Sequence, residues 1–520
     1  MAMCSSFAVN ERPDIVIGSG PSGVAAATAL IARGRPVLMI DGGRRLDPGQ
    51  EKRRAEMAAS PPETWSDAQR HAWTAPQFRT PAGQTRRFGS DHAMEPAQAT
   101  VADPPAAFGL RASRAVGGLS NLWGAAMLPY RQKDMAGWPL GEADLAAHYR
   151  AVLEFVPMAG QQDALAELFP AVPMARAAPI PASAQARALL DRLSARADAL
   201  RALGVTVGRA RTAVSGACTA CGMCLHGCPW GHIWSATRQL DRLARHPGFT
   251  HRPGSLARSF EETGNGVRVR LAGGQALEGA RLFIAAGVLE TARIVLASGP
   301  LRQLQLRDSQ QAFVPMLQRW RNRRRPDRMP LTTLPQIFAE IDAPEVSAHT
   351  VHAQIYTWNE YFAADLTASY AAGLALARPA FQALARRLVV AQLFAHSHHS
   401  AHMSLGLAPD GRLRVAIEDN ARSAGILQRA RRRLGAAMRR GGLITLGLAM
   451  RQGTPGSSFH AGASLPMSQN PRAAQSDVLG RPAGLERVHV VDASVLPAIP
   501  ATTITLPVMA NAHRIASAAP

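Results

Sequence analysis

Apolar and polar positions open the chain with a strand–turn–helix–strand rhythm. Asp14–Ile17 is a short apolar run, Gly18-Ser-Gly20-Pro-Ser-Gly23 a glycine turn, and residues 24–32 an Ala-rich helical stretch stopped by Gly34. Val37–Ile40 is a second apolar run and ends at Asp41. Residues 42–110 are rich in Arg, Pro, Gly and polar side chains and read as long surface loops or a lid. Glycine returns over 116–130, and 141–205 reads as mostly helical. Residues 267–271 and 281–286 read as strands, the first leading into a turn at Gly273-Gly274, and 288–297 as a helix. Helices and strands mix over 300–455. There Pro379 opens a predicted helix with Phe381, Leu384 and Leu388 on one face, packed on its own core or, through Arg378, Arg386 and Arg387, laid on a membrane surface. Residues 388–417 read as a strand and then a hairpin turning at Pro409-Asp-Gly411, and 485–520 as strand, proline-bounded loop and helix. There is no internal repeat.

A chain of 520 residues exceeds what one core holds, so two or more domains are expected. The net charge of +21 suggests a nucleic-acid binder. Composition weakens that idea. Only Lys52 and Lys133 are lysine, and Arg in place of Lys with abundant Ala is what GC-rich coding produces. Two denser arginine runs, 319–328 and 429–440, suit solvated faces, or else a docking patch for an acidic partner or a membrane. No aromatic-interleaved base-stacking pattern accompanies them, so no nucleic-acid partner is expected. Residues 1–13 lack the apolar core of a signal peptide, and no apolar run is long enough to span a bilayer. A cytoplasmic location is expected, with membrane-surface contact or export alongside a signal-bearing partner left open.

The glycine turn has a mechanical reading. It follows a strand, opens a helix, and has an acidic residue about 20 positions on. Gly18 allows the turn, Gly20 lets a pyrophosphate approach the backbone, and Gly23 lets helix and strand pack closely. The pyrophosphate then meets free N–H groups at the helix start, and Asp41 can accept from ribose hydroxyls. This suits FAD and NAD alike.

Three further segments add to it. They are Arg114-Ala-Val-Gly117-Gly118-Leu-Ser120-Asn121-Leu122-Trp123, then Ala285-Ala286-Gly287 running on to Ser298-Gly299, and Ser457-Ser-Phe-His460-Ala-Gly462 followed by Val490-Val-Asp492-Ala-Ser494-Val-Leu-Pro497. Together with the turn they resemble the glucose–methanol–choline (GMC) oxidoreductase family, in family order from 14 to 516 and most loosely between 300 and 455. The resemblance implies an α/β architecture: a discontinuous Rossmann-like FAD-binding domain, and an α+β substrate-binding domain whose sheet covers the flavin. Expected boundaries are 1–130 and 205–299 for the first two FAD parts, 131–204 and 300–455 for the substrate domain, and 456–520 for the closing FAD part. The implied FAD contacts are Gly18, Gly20, Pro21, Ser22, Gly23, Asp41, Gly117, Gly118, Ser120, Asn121, Trp123, Ala286, Gly287, Asp492 and Thr503. His460 matches the family's active-site histidine, the base that takes a hydroxyl proton while hydride leaves for the flavin. Two departures stand out. Thr503 occupies the place of the usual second His or Asn, and the group His396, His398, His399 and His402 is the alternative source of help. Leu122 stands where some relatives link flavin covalently, so non-covalent FAD is implied.

Of the five cysteines, Cys4 is alone. Cys218, Cys221, Cys224 and Cys228-Pro229 have the spacing of a ferredoxin cluster run. An iron–sulfur cluster is expected, [4Fe–4S] ahead of [3Fe–4S], with a structural zinc site as the rival and free thiols after that. Flavin with a cluster suits an iron–sulfur-containing FAD dehydrogenase acting on a sugar or other alcohol. Its external electron acceptor would be a cytochrome, a quinone or a ferredoxin-like protein. The alternatives are a flavin oxidase using dioxygen with zinc in the cysteine site, and a non-catalytic electron-transfer flavoprotein.

Overall fold

The structure, a computed structural model, describes residues 12–74, 76–79, 85–87, 91–174, 177–320, 332–359 and 384–520. The first apolar run is strand β1 (Asp14–Ile17), buried along its whole length, and helix α1 (Pro21–Ala32) and strand β2 (Val37–Ile40) follow it. A parallel strand covered on both faces has no polar side to show, which explains the unbroken apolar run. The same sheet takes β3 (Phe249–Arg252), β4 (Leu282–Ile284) and β5 (Val488–Val490), in the order β5-β4-β1-β2-β3, all parallel. It is therefore assembled from remote pieces of chain. Helix α2 (Val288–Ser298) leaves β4, and α3 (Thr505–Ala518) packs along α1.

A seven-stranded antiparallel sheet forms the second body. Its path runs Leu443–Thr445, Gln311–Gln318, Leu388–Phe394, Val351–Thr357, Ile337–Ile341 and Val205–Arg209, with Arg451–Gln452 beside Gln311–Gln318. Period-two alternation splits it into two faces. Ala312, Val314, Ala391, Leu393, Ala353 and Ile355 form an apolar face under the helices Ala184–Ser194 and Ser423–Arg440. Gln311, Gln392, Gln354, Tyr356, His352 and Glu340 lie on the other face, in register across the strands. That face looks at the parallel-sheet domain: the Gln311 amide donates to Ser457 Oγ at 3.1 Å, and Phe394 stacks on His460. The chain has a mixed α/β, two-domain fold in which an antiparallel sheet stands over the strand ends of a parallel one.

Several expected elements stand where the pattern put them, including the hairpin His402–Leu407/Leu413–Glu418 and the closing strand and helix. Others differ. The 42–110 stretch holds helices Pro48–Ala58 and Asp67–Thr74, and Met57, Trp65 and Trp73 bury with Met223 in a core of their own. Three large side chains in a polar sequence anchor what reads as loop. Val205–Arg209 pairs with Ile337–Ile341, so the chain from 205 begins in the second sheet. Of the expected helix from Pro379, residues 379–383 lie outside the described residues, and Leu388 opens a strand instead. The arginines of 429–440 ride the outer face of Ser423–Arg440, whose inner face buries Ile426, Leu427, Ala430 and Leu434; of the other run, 321–328 lies outside the described residues. Among the described residues no helix is long and apolar enough to cross a membrane.

A Cβ placed on Gly23 would come 1.8 Å from the Gly18 carbonyl oxygen. Gly23→Val should therefore force α1 off the turn and destabilise the protein by at least about 1–3 kcal/mol. Thermal denaturation reads this directly, and an unchanged midpoint would refute the close packing.

Candidate cofactor and active site

At the carboxyl ends of β1, β2 and β4 a cavity of about 250 Å³ opens, where ligands sit in sheets of this type. Gly18, Gly20, Pro21, Ser22, Asp41, Gly118, Ala286, Gly287 and Asp492, all singled out in the sequence, line it. A Cβ on Gly20 would meet nothing within 4 Å, so this turn leaves room for a ligand beside its backbone. Gly18 has φ +102°, and a Cβ there would lie 2.3 Å from Ala285 O. Helix α1 starts from Gly20 with no side-chain cap and no acidic residue in its first turn, which leaves its positive end to the cavity. These features fit a pyrophosphate.

The remaining predicted contacts act one layer back. Gly117 N–H donates to Ser19 Oγ at 3.0 Å, and Ser120 Oγ donates to Gly117 O at 2.5 Å. Asn121 Nδ2 donates to the carbonyls of Val116 and Gly118, both at 2.8 Å. Gly23 packs as above. The Asp41 carboxylate accepts from Ser19 Oγ, from Gly43 N–H at 2.9 Å and from His251 Nε2 at 3.1 Å. Burial works against its charge, but the bonds from His251 and Ser19 prevail and hold its pKa below the ordinary carboxylate value. Ser19 and His251 escaped the sequence reading. Ser19 fills a variable position of the turn, and His251 becomes visible only once β3 is known to pair with β2.

Asp492 joins two distant motifs. Its Oδ2 accepts from Gly287 N–H at 3.0 Å and from Thr291 Oγ1 at 2.5 Å, and Oδ1 from Ser494 N–H at 2.9 Å. Burial nevertheless raises its pKa.

His460 sits between Phe459 and Ala461, which both line the cavity, while its own ring turns to the antiparallel sheet and stacks on Phe394 at 4.8 Å. The residue keeps some exposed surface, but Nδ1 is buried without a hydrogen-bond partner. Burial first, and His352 second, push its pKa down to about 3, so the ring is neutral across physiological pH. Thr503 is not free to help. Its hydroxyl accepts from Leu128 N–H at 2.7 Å and lies 3.4 Å from Leu128 O. The other expected helpers are also elsewhere: His402 bonds Glu418 on the exposed hairpin at 3.0 Å, and His396, His398 and His399 gather around His349. Among the described residues no hydrogen bond or ring contact joins any of the four to His460.

Cys218, Cys221, Cys224 and Cys228 are free thiols, partly buried in one loop and within electrostatic reach of one another. Burial pushes the Cys218 thiol up to about 11 and Cys221 up to about 12, while hydrogen bonds from Ala220 and Met223 N–H pull the other way. Among the described residues, His349, His396 and His398 form a group that could hold a metal ion, their ligand atoms within 4.8 Å of one another.

Residues 409–512 match the family model described as GMC oxidoreductase. No curated protein matches the chain. Among solved structures, pyridoxine 4-oxidase from Mesorbium loti matches 97% of this chain and 98% of its own, with TM-score 0.57 at 16% identity. The chain thus shares the two-domain fold of that structure, and its C-terminal segment, which carries His460 and Asp492, is similar to the GMC oxidoreductase model.

Two outcomes follow. Gly20→Leu should abolish cofactor binding, since the added side chain would occupy the open space beside the turn; retention of the cofactor at the wild-type stoichiometry would refute that placement. The second concerns pH. An unfolded histidine takes its proton near ~6.5, the folded His460 only near 3. The unfolded chain therefore binds the extra proton between those values, and the stability contributed by neutral His460 is lost as pH falls through that window. His460→Phe should flatten the decline of the melting temperature between about pH 7 and about pH 4. An equal decline in both proteins would show that the ring is solvated.

Proposed function

We propose that this chain is an FAD-dependent dehydrogenase that oxidises a CH–OH group of a sugar or other alcohol. The observation that carries the reading is the cavity at the strand ends, bounded by an uncapped helix start, an acceptor carboxylate and the His460 segment, with a polar sheet face opposite. FAD bound there would supply a two-electron acceptor. The α1 N-terminus and Gly20 would hold its pyrophosphate, and Asp41 its ribose, sharing bonds now made to Ser19 and His251. Gly118, Gly287 and Asp492 would follow the rest of the cofactor, with Gly117, Ser120, Asn121 and Trp123 keeping that loop in shape. Leu122 offers no nucleophile, so FAD would be held without a covalent link. His460 would take the hydroxyl proton, with its neutral Nδ1 or Nε2 as acceptor. The polar row Gln311, Gln392, Gln354 and Tyr356 would meet the substrate's other hydroxyls.

Electrons would leave through an iron–sulfur cluster at Cys218, Cys221, Cys224 and Cys228 to a protein or quinone acceptor. One observation supports this beside the spacing of the cysteines. The chain just after them also holds the flavin-side loop: Trp123 Nε1 donates to Trp234 O at 2.9 Å, Ala236 N–H to Ser120 Oγ at 2.9 Å, and Ser235 Oγ to Asn121 Oδ1 at 3.1 Å. Trp65, stacked on Trp230 at 5.5 Å, and Trp73, bonded to Gly227 O at 3.1 Å, wall the loop from the lid side. The second reading is an oxidase, because the matched pyridoxine 4-oxidase is one by name.

An absorption spectrum with metal analysis decides between them: flavin bands plus broad cluster absorbance and iron are expected, whereas zinc with peroxide formation would favour the oxidase. Cys224→Ser should lose or damage the cluster yet leave single-turnover anaerobic flavin reduction intact and abolish steady transfer to one-electron acceptors. Normal transfer by the folded variant would show that the cysteines are structural. His460→Ala should keep FAD and slow flavin reduction about 10²- to 10⁴-fold.

A further inference from the structure

We infer that His352, held by Glu340, is the second proton-handling group of the active site and fills the role that Thr503 leaves open. This rests on the alcohol-oxidation reading and adds to it a pair from the antiparallel sheet.

His352 on Val351–Thr357 and Glu340 on Ile337–Ile341 are paired in register and both side chains are fully buried, with His352 Nδ1 2.7 Å from Glu340 Oε1. A carboxylate buried against one imidazole N–H is a poor stabiliser, since a single hydrogen bond offsets only part of its desolvation. The apolar face of the same sheet shows that this position could have been filled by packing alone. The pair instead lies on the face toward the cavity domain. Its Nδ1–H donates to the carboxylate, which leaves the lone pair on Nε2, the tautomer a base needs. That Nε2 is buried and has no partner, and neither has Glu340 Oε2 nor His460 Nδ1. Three orphaned polar atoms in one region ask for a water or a ligand group.

Phe394 connects the pair to His460, stacking on His460 at 4.8 Å and on His352 at 6.0 Å. Phe338 meets His352 edge-on at 4.9 Å and packs in the cluster of Leu128, whose backbone engages the Thr503 hydroxyl. His352 thus reaches from the sheet toward the region where a side chain at 503 would have worked. The titratable groups facing the pair are His460, on the loop before Ala461–Gly462 and within electrostatic reach of His352, and Arg211, beyond Val205–Arg209 and within reach of Glu340.

As the alcohol O–H bond breaks, an N–H bond forms on His460. A proton then passes through a bridging water to His352 Nε2, where the Glu340 carboxylate neutralises the imidazolium. The hydride's electron pair goes to the flavin that the functional reading requires. His352 and Glu340 act through His460 and are positioning residues.

The test uses the flavin-loaded protein. Nitrogen-15 NMR of histidine-labelled protein, with His352→Gln for assignment, should find His352 protonated at Nδ1 and bare at Nε2. Glu340→Gln should lose that tautomer preference, and Glu340→Asp should restore it in part. With glucose, glycerol and benzyl alcohol as donors, His352→Gln should slow anaerobic flavin reduction about 10²-fold with flavin retained. Glu340→Gln should slow flavin reduction as well, because the ring is no longer held with Nε2 free to accept. A wild-type rate in the folded His352→Gln protein overturns the inference alone, as does a ring bare at Nδ1. Should His352→Gln not fold, a wild-type rate in Glu340→Gln overturns it equally. If none of the donors reduces the bound flavin, the functional reading falls, and the tautomer measurement still decides the pair.

Discussion

A single buried carboxylate closes the parallel-sheet domain. Asp492 follows β5 and reaches Gly287 N–H and Thr291 at the start of α2, while its other oxygen holds the turn at Ser494. The sheet is built from remote segments, and without such a tie the last one would have only strand pairing to hold it. Desolvation opposes the charge, and three donors answer it. The consequence is spatial. The tie fixes the α2 start against the Asp492–Ser494 turn, and the Ala493 carbonyl of that turn accepts from Ala463 N–H just after the His460 segment. Ser19 makes a parallel tie on the other side, donating to Asp41 and accepting from Gly117 N–H.

The parallel sheet was legible because both its faces are covered. Runs such as Ile15–Val16–Ile17 carry no other information than burial, and a glycine turn next to one fixes the rest. The antiparallel sheet was less so. Its strands place Gln, His and Glu on one face of a buried sheet, so the alternation does not read as inside and outside. The helices Pro48–Ala58 and Asp67–Thr74 were hidden for a related reason: Trp65 and Trp73 are isolated in polar sequence, and their burial depends on Met223 and Trp230 far along the chain. The bonds of Thr503 to Leu128 join segments 375 positions apart, which no local pattern reveals. The cysteine spacing was legible as a set; its attachment to the loop of Ser120 and Trp123 was not.

Burial at His460 works both for and against a base. It keeps the ring neutral at working pH, ready to accept a proton, and the same burial makes the resulting imidazolium costly. A ring so placed needs either a carboxylate within reach or a path that carries the proton away. Asp492 is committed to α2, and Asp308 donates nothing: its oxygens accept from Gly456 N–H at 2.7 Å and Ser458 Oγ at 2.8 Å, shaping the His460 loop. Glu340 is the carboxylate on the facing sheet whose second oxygen is unpartnered, and His352 stands between it and the ring stack of Phe394 and His460. The sheet that closes the site from above therefore supplies more than a wall. Its apolar face secures the domain, and the carboxylate on its other face lies within the dry region that its own packing makes around His460.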